Sequence, residues 1–80
     1  MTTTRTPGIV DRLRAELDQA GIAWQPVRDY PEATFLPDSM HTIWWGGPAR
    51  PVFRWGHQFE HEDRSPRDVI ARLEGQPDAP

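Results

Sequence analysis

The stretch Ile43-Trp44-Trp45-Gly46-Gly47-Pro48-Ala49-Arg50-Pro51-Val52-Phe53-Arg54-Trp55 decides the fold. Two runs rich in aromatic and β-branched residues flank a break of glycine and proline, the pattern of a β-hairpin. With residues 46–50 as the loop, Trp45 stands opposite Pro51, Trp44 opposite Val52, Ile43 opposite Phe53 and Thr42 opposite Arg54. Side chains alternate along a strand. His41, Ile43, Trp45, Phe53 and Trp55 therefore share one face, assigned to the core. Thr42, Trp44, Val52 and Arg54 share the other. A bulge of one residue at Gly46 or Gly47 would exchange the faces of one strand.

On the C-terminal side the alternation continues, with His57, Phe59 and His61 in phase with Trp55. A strand bent at Gly56, or one that frays into a loop, fits this pattern. A tight turn at Gly56-His57 would instead set Glu60 opposite Phe53 on the core side, which is costly for a carboxylate. Ser65 then caps a second helix, with Pro66 at its first position, Asp68 in the place of a capping-box acid, and Val69, Ile70 and Leu73 as its apolar stripe. Gly75 ends it. On the N-terminal side, residues 28–40 read as a loop with an extended piece at Thr34-Phe35-Leu36. Residues 22–27 read as a short strand, which Pro26 confines to a sheet edge. Before it, Thr6 as cap, Pro7, and Ile9, Leu13 and Leu17 at helical spacing predict a helix over 7–20 that stops at Gly21. The expectation is an α+β fold: an antiparallel sheet of three or four strands with an N-terminal and a C-terminal helix packed on one face. Residues 6–75 form one domain, with an arm at 1–5 and a tail at 76–80 expected to be disordered.

Eighty residues cannot bury a large core, and the chain has no cysteine with which to staple a small one. Four tryptophans supply the packing instead. There is no membrane-length apolar run and no leader of signal-peptide type, so the expected location is cytoplasmic. The formal charge of −3 gives no general attraction to nucleic acid. Yet residues 41–57 contain Arg50 and Arg54 and no acid, a locally positive hairpin on an acidic body.

Trp44 beside Arg54 is the pairing that stands out, diagonal neighbours placed for the guanidinium to stack on the indole. Such a pair can merely shield a wet sheet face. It is also the composition of an interface hot spot, which Val52 and Thr42 would enlarge. Two short helices cover one face of a sheet and not two, so a second copy of the chain or another protein is the expected cover. His57 and His61 are the weak metal candidates. On a strand, residues four apart lie roughly 13 Å from each other, too far to share one ion. No cofactor is expected. The serines, histidines and acids form no pattern of nucleophile, base and oxyanion hole, so no enzyme is expected.

The Trp-Gly-Gly turn, the Phe53-Arg54-Trp55-Gly56 strand end and the Ser65-Pro66…Val69-Ile70-Ala71…Leu73 helix resemble small uncharacterised helix–β-hairpin–helix proteins of high-GC actinobacteria. The resemblance spans roughly residues 7–74, implies a regulatory setting and transfers no site residue. The expected function is a non-catalytic protein-binding adaptor or regulatory module that acts through the aromatic hairpin face and self-associates as a homodimer. The alternatives are a single-stranded nucleic-acid-binding accessory protein, a small metal-binding domain using His57 and His61, or an enzyme accessory subunit.

Overall fold

The computed structural model describes residues 6–75. Among these the chain forms α1 (Gly8–Gln19), β1 (Gln25–Val27), β2 (Tyr30–Leu36), β3 (His41–Trp45), β4 (Phe53–Trp55), a 3-10 turn (His57–Phe59), β5 (His61–Asp63) and α2 (Pro66–Gly75). The five strands make one antiparallel meander in the order β1-β2-β3-β4-β5. The α+β class and the antiparallel sheet agree with the sequence reading. The strand number does not, since three or four strands were expected. The arm at 1–5 and the tail at 76–80 lie outside the described residues. No helix among the described residues is long and apolar enough to cross a membrane.

Both helices lie on one side of the sheet. Val10, Leu13 and Leu17 of α1 and Val69 and Ile70 of α2 meet Leu36, Ile43, Phe53 and Trp55 in one buried cluster. Ile9, Ala20, Ile22, Trp24, Trp45 and Leu73 close its rim. The core face assigned to the hairpin is thus the observed one. Trp45 lies against Phe53 with ring centroids 4.8 Å apart, and His41 meets Trp55 edge-on at 6.1 Å.

Two parts of the N-terminal half depart from expectation. The helix begins after Pro7, whose carbonyl accepts from the Val10 and Asp11 N–H groups, and no side chain caps it, so Thr6 is not the cap. Residues 28–40 are mostly strand: β2 covers seven of them and is the longest in the sheet. Pro31 near its start and Pro37 just past its end mask it in the sequence. Proline is tolerated where a strand begins, and here the β1–β2 register is already irregular between Pro26 and Val27. The short strand expected over 22–27 is real but begins at Gln25, and Pro26 sits on the edge strand as its missing N–H requires.

The hairpin register is shifted by two. Trp44 pairs with Arg54 and Trp45 with Phe53, so the loop is residues 46–52 and Val52 and Pro51 belong to it. The loop holds itself: the Gly46 N–H donates to the Val52 carbonyl (3.0 Å), the Val52 N–H to the Arg50 carbonyl (2.7 Å), and the Arg50 N–H to the Gly47 carbonyl (3.1 Å). The Arg50 carbonyl crosses the position that a Cβ on Gly46 would need, so the turn requires glycine there. A shift of two residues preserves the alternation, which is why the face assignment survives a wrong register.

After Trp55 the chain neither continues nor frays. It makes a 3-10 turn and returns as β5, pairing Trp55 with His61, Arg54 with Glu62 and Phe53 with Asp63. The turn is made of unusual backbone. Gly56 has φ 92° and ψ −177°, a region open in practice only to glycine. A Cβ there would also stand 2.7 Å from Cδ2 of His61, whose ring packs at a tilt against Trp55 with centroids 4.6 Å apart. Gly56→Ala is therefore expected to cost about 1–3 kcal/mol, read as a lower midpoint in urea unfolding. An unchanged midpoint would mean that the turn relaxes without strain.

An acid does end up opposite Phe53, as the rejected tight-turn alternative required, but it is Asp63 and not Glu60. It is only 6% exposed. Its cost is met by partners. The Trp55 indole N–H donates to Oδ2 at 3.0 Å, and Arg72 of α2 donates to both oxygens at 3.0–3.3 Å. Ser65 caps α2 as expected, its Oγ accepting from the Asp68 N–H at 3.2 Å.

Candidate functional site

The face of the sheet turned away from the helices carries Ala33 and Phe35 of β2, Thr42 and Trp44 of β3, Arg54 of β4 and Glu62 of β5. This follows from the pairings Phe35–Thr42, Ala33–Trp44, Trp44–Arg54 and Arg54–Glu62. None of these side chains belongs to the helix-facing core cluster. Phe35, Thr42, Trp44 and Arg54 are half-buried. Ala33 is fully buried although its register places it on this face.

Two further aromatic residues extend this surface, Tyr30 from the start of β2 and Phe59 from the 3-10 turn. Tyr30, 49% exposed, meets Trp44 edge-on with centroids 5.3 Å apart and planes at 74°. Phe59, 45% exposed, lies under the Arg54 guanidinium at 5.0 Å. Phe59 and the preceding Gln58 both have φ of 55°, left-handed backbone that is rare for a bulky side chain. The strain holds an exposed phenyl ring against an arginine.

Arg54 and Trp44 are thus brought together as expected, but directly opposite each other rather than diagonally, and the guanidinium stacks on Phe59 rather than on the indole. Arg50 donates to Glu62 Oε2 at 2.8 Å. Arg54 Nε lies 3.6 Å from the same oxygen, an ion pair without a hydrogen bond, and this buried nitrogen has no hydrogen-bond partner. Two guanidinium groups share one carboxylate, which leaves one positive charge in excess. Thr42 lies within the patch beside Phe35. Val52, expected on the same face, is a half-buried loop residue whose backbone closes the 46–52 turn.

The four indoles divide by partner. Trp24 donates to Asp18 at 2.8 Å and Trp55 to Asp63 at 3.0 Å. The Trp44 and Trp45 N–H groups donate to no acceptor among the described residues. Trp24 also carries the Arg14 guanidinium over its ring at 4.9 Å, while Arg14 donates to Thr34 Oγ1 at 3.0 Å and to the Ala33 carbonyl at 2.9 Å. Burial lowers the Arg14 pKa from its ordinary value, with the nearby Asp11 charge acting the other way. This stitch between α1 and β2 is structural and lies on the helix side.

His57 and His61 do not lie on one extended strand. His57 opens the 3-10 turn and is exposed, whereas His61 is in β5, packed against Trp55 and 3.4 Å from Glu60. Among the described residues no three histidine or acidic side chains gather as a metal site would require. Two open hollows, one lined by Val27, Asp29, Tyr30 and Pro31 and one by Thr6, Pro7, Gly8 and Asp11, lie at other places on the surface.

No protein-family model, curated protein or solved structure matches the chain.

Proposed function

We propose that this is a non-catalytic protein-binding module whose working surface is the open face of the sheet, with Trp44 as the anchor and Arg54, Phe35 and Thr42 around it. One observation carries the reading: both helices lie on the same side, and the other side carries Phe35 and Trp44, with Tyr30 and Phe59 at its ends, none of which joins the helix-facing core. A half-buried tryptophan beside an arginine contributes apolar area at little entropic cost, together with a charge that a partner can satisfy. A second copy of the chain is one such partner.

Trp44→Ala is expected to leave urea unfolding within about 1 kcal/mol of wild type, because the side chain lies outside the core. It is expected to abolish association. Sedimentation velocity of both proteins over a range of concentrations, with melting temperature followed in parallel, tests this. Unfolding of the variant would place Trp44 in the core. Unchanged association would remove the outer face as the binding surface.

A further inference from the structure

We infer that the occupant of this face is an extended, proline-rich peptide segment carrying a carboxylate, an inference that rests on the binding role just proposed. The Tyr30 and Trp44 rings stand at 74° with 5.3 Å between centroids, which makes a corner with one flat indole wall. A pyrrolidine ring packs well against such a wall. The Trp44 N–H has no acceptor within the described chain. A polyproline II segment has no internal hydrogen bonds, so each of its carbonyls is available to accept that donor. The segment is also ordered before it binds, which spares the entropy that a small shallow surface could not offset.

Charge fixes the second feature of the ligand. Arg50 and Arg54 both pair with Glu62, and among the described residues no second carboxylate pairs with either. Arg54 Nε is buried without a hydrogen-bond partner. Nε itself is closed to solvent, so a ligand carboxylate would balance the excess charge by taking its hydrogen bonds from the exposed ends of Arg50 and Arg54, whose side chains are 57% and 40% exposed. Phe59, propped by left-handed backbone, bounds the patch beyond Arg54. The corner and the cationic end are separated by the Trp44–Arg54 strand pairing, so proline and acid should lie within a few residues of each other. The chain's own sequence carries proline and acid at such spacing, as in Pro77-Asp78-Ala79-Pro80, so a second copy carries a ligand of this kind with it. A nucleic acid strand would also stack on these rings, but Glu62 and the acidic body oppose it.

The test is a titration of the ¹⁵N-labelled full chain with a synthetic peptide of repeated Pro-Asp-Ala-Pro units, reading the four tryptophan indole N–H signals. The Trp44 signal, identified by its loss in Trp44→Phe, is expected to shift saturably while those of Trp24 and Trp55 stay in place. Arg54→Gln and Tyr30→Ala are each expected to weaken binding by about fivefold to tenfold. A peptide of Ala-Asp-Ala-Ala units is expected to cause no shift. An unmoved Trp44 signal, or equal binding of the alanine peptide, overturns the inference. Trp44-dependent self-association that the proline peptide does not displace also overturns it while leaving the binding face standing, as does Trp44-dependent binding of oligothymidine. An inert peptide together with no association of any kind removes both readings.

Discussion

Phe53→Ala is expected to lower stability by about 3–5 kcal/mol, enough that little folded protein remains at ambient temperature. Phe53 is fully buried, packs its ring against that of Trp45, and pairs with Trp45 on one side and Asp63 on the other. Its deletion leaves a ring-sized void beneath both helices, and a core made of about nine large side chains has few neighbours able to move into it. A chain of 80 residues begins with a small margin. The check is circular dichroism with urea titration, set beside Trp44→Ala. Both variants remove one aromatic ring from adjacent strands, so the contrast isolates the face on which the ring stands. Similar losses for the two would mean that the sheet is buried on both sides.

That contrast was legible in the sequence because strand alternation is robust. The reading of 43–55 misplaced the hairpin register by two residues, yet it put Ile43, Phe53 and Trp55 in the core and Trp44 and Arg54 outside it, as the structure does. Only an odd shift would have exchanged the faces. The two helices were legible for a similar reason: their apolar stripes and the Ser65 cap are local signals. What sequence reasoning missed is non-local. β2 is flanked by prolines and has few strong apolar residues, and its identity as a strand depends on β1 and β3 on either side. The return of β5 depends on Gly56 and on two left-handed residues, Gln58 and Phe59, that no residue preference announces.

The patch was half legible. Trp44 and Arg54 stood out by composition, whereas Tyr30 at the start of β2 and Phe59 in the 3-10 turn lie 14 residues before and 15 residues after Trp44. No periodicity connects them. The one available signal was their isolation, a single large ring in each of two otherwise polar segments. Arg14 was missed in the same way. It reads as part of a solvated helix face, yet its hydrogen bonds to Thr34 and Ala33 tie that face to the strand the sequence hides.

Asp63→Ala is expected to cost about 2–4 kcal/mol, through partners rather than volume. The substitution leaves the Trp55 indole N–H without its acceptor inside the core and releases Arg72 from α2, the contact that ties the C-terminal helix to the sheet edge. The same carboxylate makes stability depend on pH. Burial pushes its pKa up, but the hydrogen bonds from Arg72 and Trp55 and the charges of Arg72 and His61 together outweigh that, so the net shift is downward. A carboxyl whose folded pKa lies below its unfolded value, about 3.9 for aspartate, contributes stability that is fully present above the unfolded value. That contribution is lost as pH falls through the folded value. Wild type should therefore lose stability below about pH 4. Asp63→Asn keeps an acceptor for the indole but cannot titrate, so it should be less stable than wild type at neutral pH and should lose much of that deficit in acid. Urea midpoints for the two proteins at neutral pH and below pH 4 measure the gap. A gap that stays constant across this range would show that Asp63 acts by shape and hydrogen bonding alone, and that its charge contributes nothing to holding α2 against the sheet.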